Sequence, residues 1–440
     1  AGLNLKAFVV FKRLKTGPIR IEPKRIKVPY SITKLDGETL SNELIYTYSE
    51  KVFDKHQPES ANLASMMAVQ VAMNYGLFCK ELVFDGMYDD ADRRFIIDMI
   101  ENTSREIYVN KLLGANEFLK PAFVPVRLEK QDRYTIANIR FVNSVWPSIL
   151  PEWKPSTTDK NQYAILSSGG KDSLLSYGIL NELGKNTHPL FVNESGRHWF
   201  TAINSYKYLE RNEPNTARVW CNSDRIFNWM LRHMPFIKEN FTDIRSDIYP
   251  IRLWTVAVFL FGVLPVVMKR NIGNVLIGDE YDTTQKLNYE GITHYGGLYD
   301  QSKYFDNALS RYFFKKGWGI YQFSILRSLS EMLILKVLVE RFPELQAQQV
   351  SCHASHEENQ RIYPCGNCEK CRRIVGMLSA LDADPQNCGY KPDQIARGLK
   401  SLESKKVKQI GPDAAHLFYL LREKKLIEQN QHTNKLGKPH

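Results

Sequence analysis

Six residues, Ser168-Gly169-Gly170-Lys171-Asp172-Ser173, follow the apolar run Tyr163-Ala164-Ile165-Leu166 after a single serine and lead into Leu174-Leu175. Between a strand and a helix, such a stretch turns backbone N–H groups toward one point, where an anion can sit. Gly169 and Gly170 allow close approach of the backbone, and the hydroxyls of Ser168 and Ser173 add donors. Lys171 balances phosphate charge if it points inward, and Asp172 suits a Mg²⁺ ion or a helix cap. A serine–glycine turn that only caps a helix is the simpler reading of the same residues. The spacing is not that of a Walker loop.

A second group is Cys352 with Cys365, Cys368 and Cys371, the last three at two-residue gaps. Four thiolates complete a tetrahedral Zn²⁺ shell and leave no open position, so the expected role is structural. His353 and His356 are alternatives to Cys352, and buried or redox thiols are the metal-free reading. The isolated Cys79, Cys221 and Cys388 read as small apolar residues.

The elements that must position these groups are legible as a change of pattern. After a proline-rich break from Trp146 to Thr158, strands and helices alternate: strand 163–166, helix 172–183, strand 189–193, helix 201–211, strand 218–221, helix 253–268 and strand 274–277. Alternation of this kind predicts an α/β fold, a parallel sheet with helices on both faces, whose ligands lie beyond the carboxyl ends of the strands. Residues 1–150 read as an α+β domain, with exposed-looking strands at 19–21 and 25–28 and a helix at 61–75. Residues 160–375 form the loop-bearing domain with its cysteine site, and 376–440 a helical basic segment with an amphipathic helix at 414–425.

The chain has 440 residues, 43% hydrophobic, with a formal charge of +11, enough for real cores and too apolar for disorder. Lys6, Lys12, Arg13, Lys15, Arg20, Lys24, Arg25 and Lys27 face one acid, Glu22. They suit an anionic ligand, but a solvated basic surface accounts for them equally well, so nucleic acid is not favoured as a partner. The longest apolar run, Leu253 to Met268, falls short of the ~20 residues that span a bilayer and reads as a buried helix. With no recognisable leader and with clustered cysteines, a cytoplasmic location is expected and no membrane association.

The loop resembles the SGGxDS pyrophosphate loop (PP-loop) of the N-type ATP pyrophosphatases, which transfer AMP from ATP to an acceptor oxygen and release pyrophosphate. Cys365-Gly366-Asn367-Cys368-Glu369-Lys370-Cys371 is similar to the CGxCxxC of 7-cyano-7-deazaguanine synthases, as are Gly196-Arg197-His198, Tyr249-Pro250-Ile251-Arg252 and the acidic segment Gly278 to Asp282. Those synthases are shorter and lack the first 150 residues. The whole chain looks more like the ATP-dependent UDP-N-acetylmuramoyl-L-alanyl-L-glutamate epimerase family, through SSGGKDS, Asp300-Gln301-Ser302, Ser324-Ile325-Leu326-Arg327, Ser351 to His356 and Pro364 to Arg373.

That resemblance implies inversion of the terminal L-Glu of UDP-MurNAc-L-Ala-L-Glu to D-Glu, a step of peptidoglycan precursor synthesis. Transfer of AMP to the carboxylate makes an anhydride whose α-proton can leave and return to the other face. The site then needs ATP, Mg²⁺, cations for diphosphate and acid/base groups. Glu280 and Asp282 are candidates for Mg²⁺ or proton transfer, His294 and Asp300 for proton transfer, and Arg252 and Arg327 for phosphate clamps; ordinary loop carboxylates, a structural histidine and ion pairs are the competing readings. The first domain is expected to bind the uridine-sugar part of the substrate. Other readings are an adenylating enzyme acting on a deazapurine, nucleic acid or protein, and a nucleotide-binding module without turnover.

Overall fold

The computed structural model describes residues 2–144, 157–244, 249–352, 354–404 and 411–428. Most of the proline-rich break, His353 and the basic tail after residue 428 lie outside the described residues. The strands are β1 Phe11–Thr16, β2 Arg20–Glu22, β3 Arg25–Lys34, β4 Thr39–Thr47, β5 Cys79–Asp85, β6 Asn138–Val142, β7 Asp159–Ser167, β8 Asn186–Asn193, β9 Ala217–Cys221, β10 Ile272–Ile277, β11 Leu287–Tyr289, β12 Ile292–His294, β13 Tyr321–Phe323, β14 His356–Glu358 and β15 Arg361–Tyr363. The helices are α1 Pro58–Val69, α2 Asp90–Ile107, α3 Lys171–Glu182, α4 Arg197–Asn212, α5 Ser223–Arg232, α6 Val256–Lys269, α7 Lys303–Lys316, α8 Glu331–Arg341, α9 Pro343–Gln346, α10 Glu369–Ala380, α11 Pro392–Leu402 and α12 Gly411–Glu423.

One mixed sheet runs in the order β13-β10-β7-β8-β9-β4-β3-β1-β5-β6, with β2 paired to β3. The strands from β13 to β9 are all parallel, as the alternation of strands and helices predicts. From β7 the chain moves outward to β8 and β9, then returns to place β10 on the other side of β7. The switch point therefore lies between the carboxyl ends of β7 and β10, where open parallel sheets take their ligands.

The period of two explains how helices come to cover both faces. Ala164, Leu190, Val192, Val275 and Ile277 join a core with α1, α2, α5 and α6; Ile165, Phe191 and Leu276 join a second core with α3, α8, α10 and α12. Helix α6 is the long apolar run and is buried almost all round. No helix among the described residues is long and apolar enough to cross a membrane.

The sheet continues into the first 144 residues through a short antiparallel join, in which Tyr46 faces Cys221 and Thr47 faces Trp220. Asn222 lengthens the join with its side chain: Oδ1 accepts from Ile45 N (2.8 Å) and Nδ2 donates to Glu43 O (2.8 Å). Strand β3 is not the exposed strand its basic residues suggest, since Ile26, Val28, Tyr30 and Ile32 are fully buried on one face. The basic residues occupy the other faces, where Arg13 pairs with Glu81, Lys15 with Asp85 and Arg20 with Glu43.

Candidate active site at the switch point

The loop after β7 enters α3 at the carboxyl edge of the sheet. Gly169 has φ +81, and a Cβ there would lie 2.2 Å from Thr201 O, so only glycine lets the loop pass the first turns of α4. Gly170 is the N-cap of α3 and offers no side chain to cap it, which leaves the helix N–H groups for another acceptor. Ser173 Oγ accepts from Ser168 N at 3.3 Å and closes the loop on itself. Gly278, at the end of β10, brings that strand against Asp172; a Cβ would lie 2.8 Å from the Asp172 backbone.

A cleft of about 560 Å³ opens over this point, lined among others by Ser168, Asp172, Ser173, His198, Arg252, Asp279, Asp300 and Lys370. Asn110 and Lys111, in the π-helical turn Tyr108–Leu113 that extends α2, line its far wall beside Gly296 and Gly297. The π turn is fixed to the rest of the site: Lys111 Nζ donates to Tyr249 O (2.6 Å), and buried Glu106 accepts from Tyr295 N (2.6 Å) and Gly297 N (3.2 Å).

The carboxylates here are held in unusual states by burial. Asp172 is raised above its ordinary range mainly by desolvation, against the pull of Lys171. Asp279 is raised well above it for the same reason, with Arg327 opposing from 3.6 Å, too far for a hydrogen bond. Asp300 is pushed up to about 7 by burial even though its Oδ2 accepts from Thr255 N and Val256 N at the start of α6. A carboxyl pushed this near neutrality, as Asp300 is, can hold or release a proton during a reaction.

The predicted residues divide into several groups. Ser168, Asp172, Ser173, Arg252 and Asp300 meet in the cleft. Lys171 does not line it: the ammonium is buried under the loop, 3.1 Å from Asp172, 3.5 Å from Glu331 and 3.6 Å from Glu280. Burial alone would lower Lys171, but those three carboxylates outweigh it and hold it protonated. Glu280 serves this buried cluster rather than the cleft, and burial pushes it up to about 8. Asp282 lies half-buried in the short turn Tyr281–Thr284, also off the cleft wall.

Arg252 stacks over Tyr249 (4.0 Å) and Phe227 (4.3 Å) and donates to Asp224 (2.8 Å), which fixes its guanidinium at the cleft. Arg327 stands behind the wall, donating to Asp306, Thr283, Thr284 and the Gln301 carbonyl. It braces Asp279 and the Asp300 segment instead of reaching into the cleft. His294 is buried, kept below its ordinary range by burial and by Arg105, and its Nδ1 accepts from Gly296 N (3.1 Å), which shapes the turn that lines the cleft.

Other residues come into view only in three dimensions. Glu194, next after β8, is 2% exposed, pushed up to about 7 by burial, and its Oε2 has no hydrogen-bond partner among the described residues. It shares a small cavity with His198, Asp224 and Arg252. Its position just past a strand's carboxyl end was the available signal. Asp279 belongs to the acidic segment already noticed, but the alternation along that loop, which turns it inward and Glu280 away, is not visible in the sequence.

The four cysteines come together as the spacing predicts, with all four sulfurs within 4.8 Å of one another. Cys352 and Cys368 are 3.6 Å apart, and Cys365 and Cys371 3.8 Å. One ion with ~2.3 Å bonds to four tetrahedral thiolates has edges of about 3.8 Å, so this donor set fits a single metal ion. Sulfurs so close leave no volume for a polynuclear cluster between them. His356 is exposed on β14 and outside the group.

No family model matches the chain, and no curated protein matches it. Among solved structures, the U34-tRNA thiolase NcsA from Methanococcus maripaludis with its [4Fe-4S] cluster is similar over 58% of this chain and 77% of that one, at 14% identity and a TM-score of 0.27. A likeness of that size carries no argument about this protein's fold or chemistry.

Proposed function

We propose that the chain is an ATP-dependent adenylating enzyme of the N-type ATP pyrophosphatase kind, acting on an acceptor carboxylate. The observation that carries this reading is the uncapped start of α3 opening on one cleft with Asp172, Asp279 and Asp300. Ser168, Ser173 and the N–H groups of α3 would bind the polyphosphate. Asp172 and Asp279 would hold Mg²⁺, which supplies charge neutralisation when bound. The acceptor would enter beside Asn110, Lys111 and the Gly296–Gly297 turn, opposite the loop.

The finer reading is epimerisation of the terminal L-Glu of UDP-MurNAc-L-Ala-L-Glu. The α-carboxylate would attack the α-phosphorus of ATP and release pyrophosphate, because only that anhydride delocalises the charge left by the α-proton; after the proton returns to the other face, water would cleave the anhydride to restore the carboxylate and release AMP. Asp300, which burial pushes up to about 7, would move that proton, with Glu194 as a second carrier behind Arg252. The four thiolates would hold a structural Zn²⁺. The test is incubation with ATP, Mg²⁺ and the UDP-dipeptide in D₂O, followed by chirality and deuterium analysis of the glutamate. Deuterated D-glutamate with AMP and pyrophosphate supports the reading; unchanged L-glutamate without AMP from protein that binds ATP overturns it.

A second reading keeps the adenylation and changes the acceptor to a deazapurine or a nucleic acid. Arg372, Arg397 and Lys400 around one groove, and Arg197 beside another, favour an anionic acceptor that reaches the knuckle. Pyrophosphate release stimulated by RNA, with a steep salt dependence, would select it.

A further inference from the structure

The loop lysine, Lys171, is turned away from the cleft and surrounded by three carboxylates, so its ammonium does not face a nucleotide bound there. Among the described residues, three cationic side chains line the cleft: Lys111, Arg252 and Lys370. Lys111 stands on the far wall, tied to Tyr249 O, and Arg252 is stacked between two rings and paired with Asp224. Lys370 belongs to the cysteine knuckle, between Cys368 and Cys371 in the first turn of α10.

The knuckle is fastened to the phosphate loop at both ends. Before Cys352, Val350 N donates to Gly169 O at 3.2 Å. After Cys371, Arg373 lies 3.7 Å from Glu331, which itself lies 3.5 Å from Lys171. The first turns of α4 complete the contact, since Thr201 Oγ1 reaches Ser168 O and the field of Lys370 adds to burial in keeping His198 uncharged. Lys370 thus lines the cleft from an element fastened to the phosphate loop.

We infer that Lys370 is the ammonium that meets the polyphosphate of the bound nucleoside triphosphate, so the metal knuckle is a working wall of the nucleotide site and not a remote clamp. This rests on the nucleotide reading of the cleft. An ion held by Cys352, Cys365, Cys368 and Cys371 would fix the first turn of α10, and with it the position of Lys370.

The test is titration of the metal-loaded protein with Mg²⁺ and a non-hydrolysable ATP analogue. Lys370→Gln is expected to bind it about 10- to 100-fold more weakly, as loss of a charge-assisted contact does. Lys370→Arg should recover most of the affinity, and Lys336→Gln, on an exposed face of α8, should match wild type. Binding by Lys370→Gln within twofold of wild type overturns the inference and leaves the nucleotide reading intact; wild type that binds no analogue overturns both. Labelling of the wild-type protein with an ATP acyl phosphate, which acylates amines that touch the phosphates, keeps the question open to refutation if Lys370→Gln fails to fold. Acylation at Lys370 is the expected result, and acylation at Lys171 or Lys111 with Lys370 unmarked overturns it.

Discussion

Two buried lysines in this molecule sit among carboxylates, and they are treated differently. Lys316, at the end of α7, donates to Asp89 (2.5 Å) and Asp92 (3.1 Å), and the acids are otherwise saturated: Asp92 accepts from Tyr312 OH, Asn62 Nδ2 and Asp89 N, while Asp89 caps α2 through Asp92 N. Around Lys171, the approaches of Glu280 and Glu331 are beyond ordinary hydrogen-bond length, and Glu280 Oε2 has no hydrogen-bond partner among the described residues. The first cluster joins α2 to α7 and has nothing left over. The second lies under the phosphate loop and leaves a buried carboxylate oxygen of Glu280 unbonded, the condition expected where a changing charge must be accommodated.

The largest expected effect comes from breaking the saturated cluster. Lys316→Met leaves Asp92 buried without its cation and should cost about 3–5 kcal/mol, read from urea unfolding. Asp172→Ala should cost less stability than that, since Glu280 and Glu331 still flank Lys171, yet lower pyrophosphate release by roughly 10²–10³-fold or more, the scale of losing one group that acts on developing charge. If the two variants exchanged behaviours, the contrast between clusters would collapse.

Glu280→Gln sharpens it. With its folded pKa near 8 against an ordinary 4.5, Glu280 keeps a proton in the folded state that it loses on unfolding across that window. Stability from this group is full below pH 4.5 and lost as pH rises through 8, so the Gln variant should be more stable than wild type at pH 8.5, on the order of a few kcal/mol, and equal at pH 4. A variant less stable than wild type at both pH values would mean that Glu280 is as fully compensated as Asp92. The smallest effect belongs to an exposed pair: Arg341→Ala, which removes the contact with Glu182, should change unfolding by no more than about 1 kcal/mol.

What the sequence could disclose depended on how local the cause was. The strand-loop-helix at 159–182 and the cysteine group were legible because adjacent residues determine them. Helix α2 was passed over although Phe95, Ile96, Met99, Ile100 and Ile107 recur at helical spacing, a readable signal. Roles that depend on the other side of a contact were not readable. Nothing near Arg327 in the chain announces Asp306 and the threonines that occupy it, and nothing near Lys171 announces Glu331. The same holds for Lys111, brought to the cleft from the first third of the chain by the packing of α2.

The join between β4 and β9 has a further consequence. Among the described residues, two residue pairs, the Asn222 side-chain amide and the Asn222 N–H on Ile45 O seal the sheet where its two parts meet, and to either side the strands are long and well paired. Residues 2–144 produced by themselves would bare β4 as a nine-residue edge whose alternate side chains are apolar, and residues from 157 onward would bare β9. Each is a ready template for a stranger's strand. Asn222, which imitates a backbone with its side chain, thus helps to keep both strand edges covered.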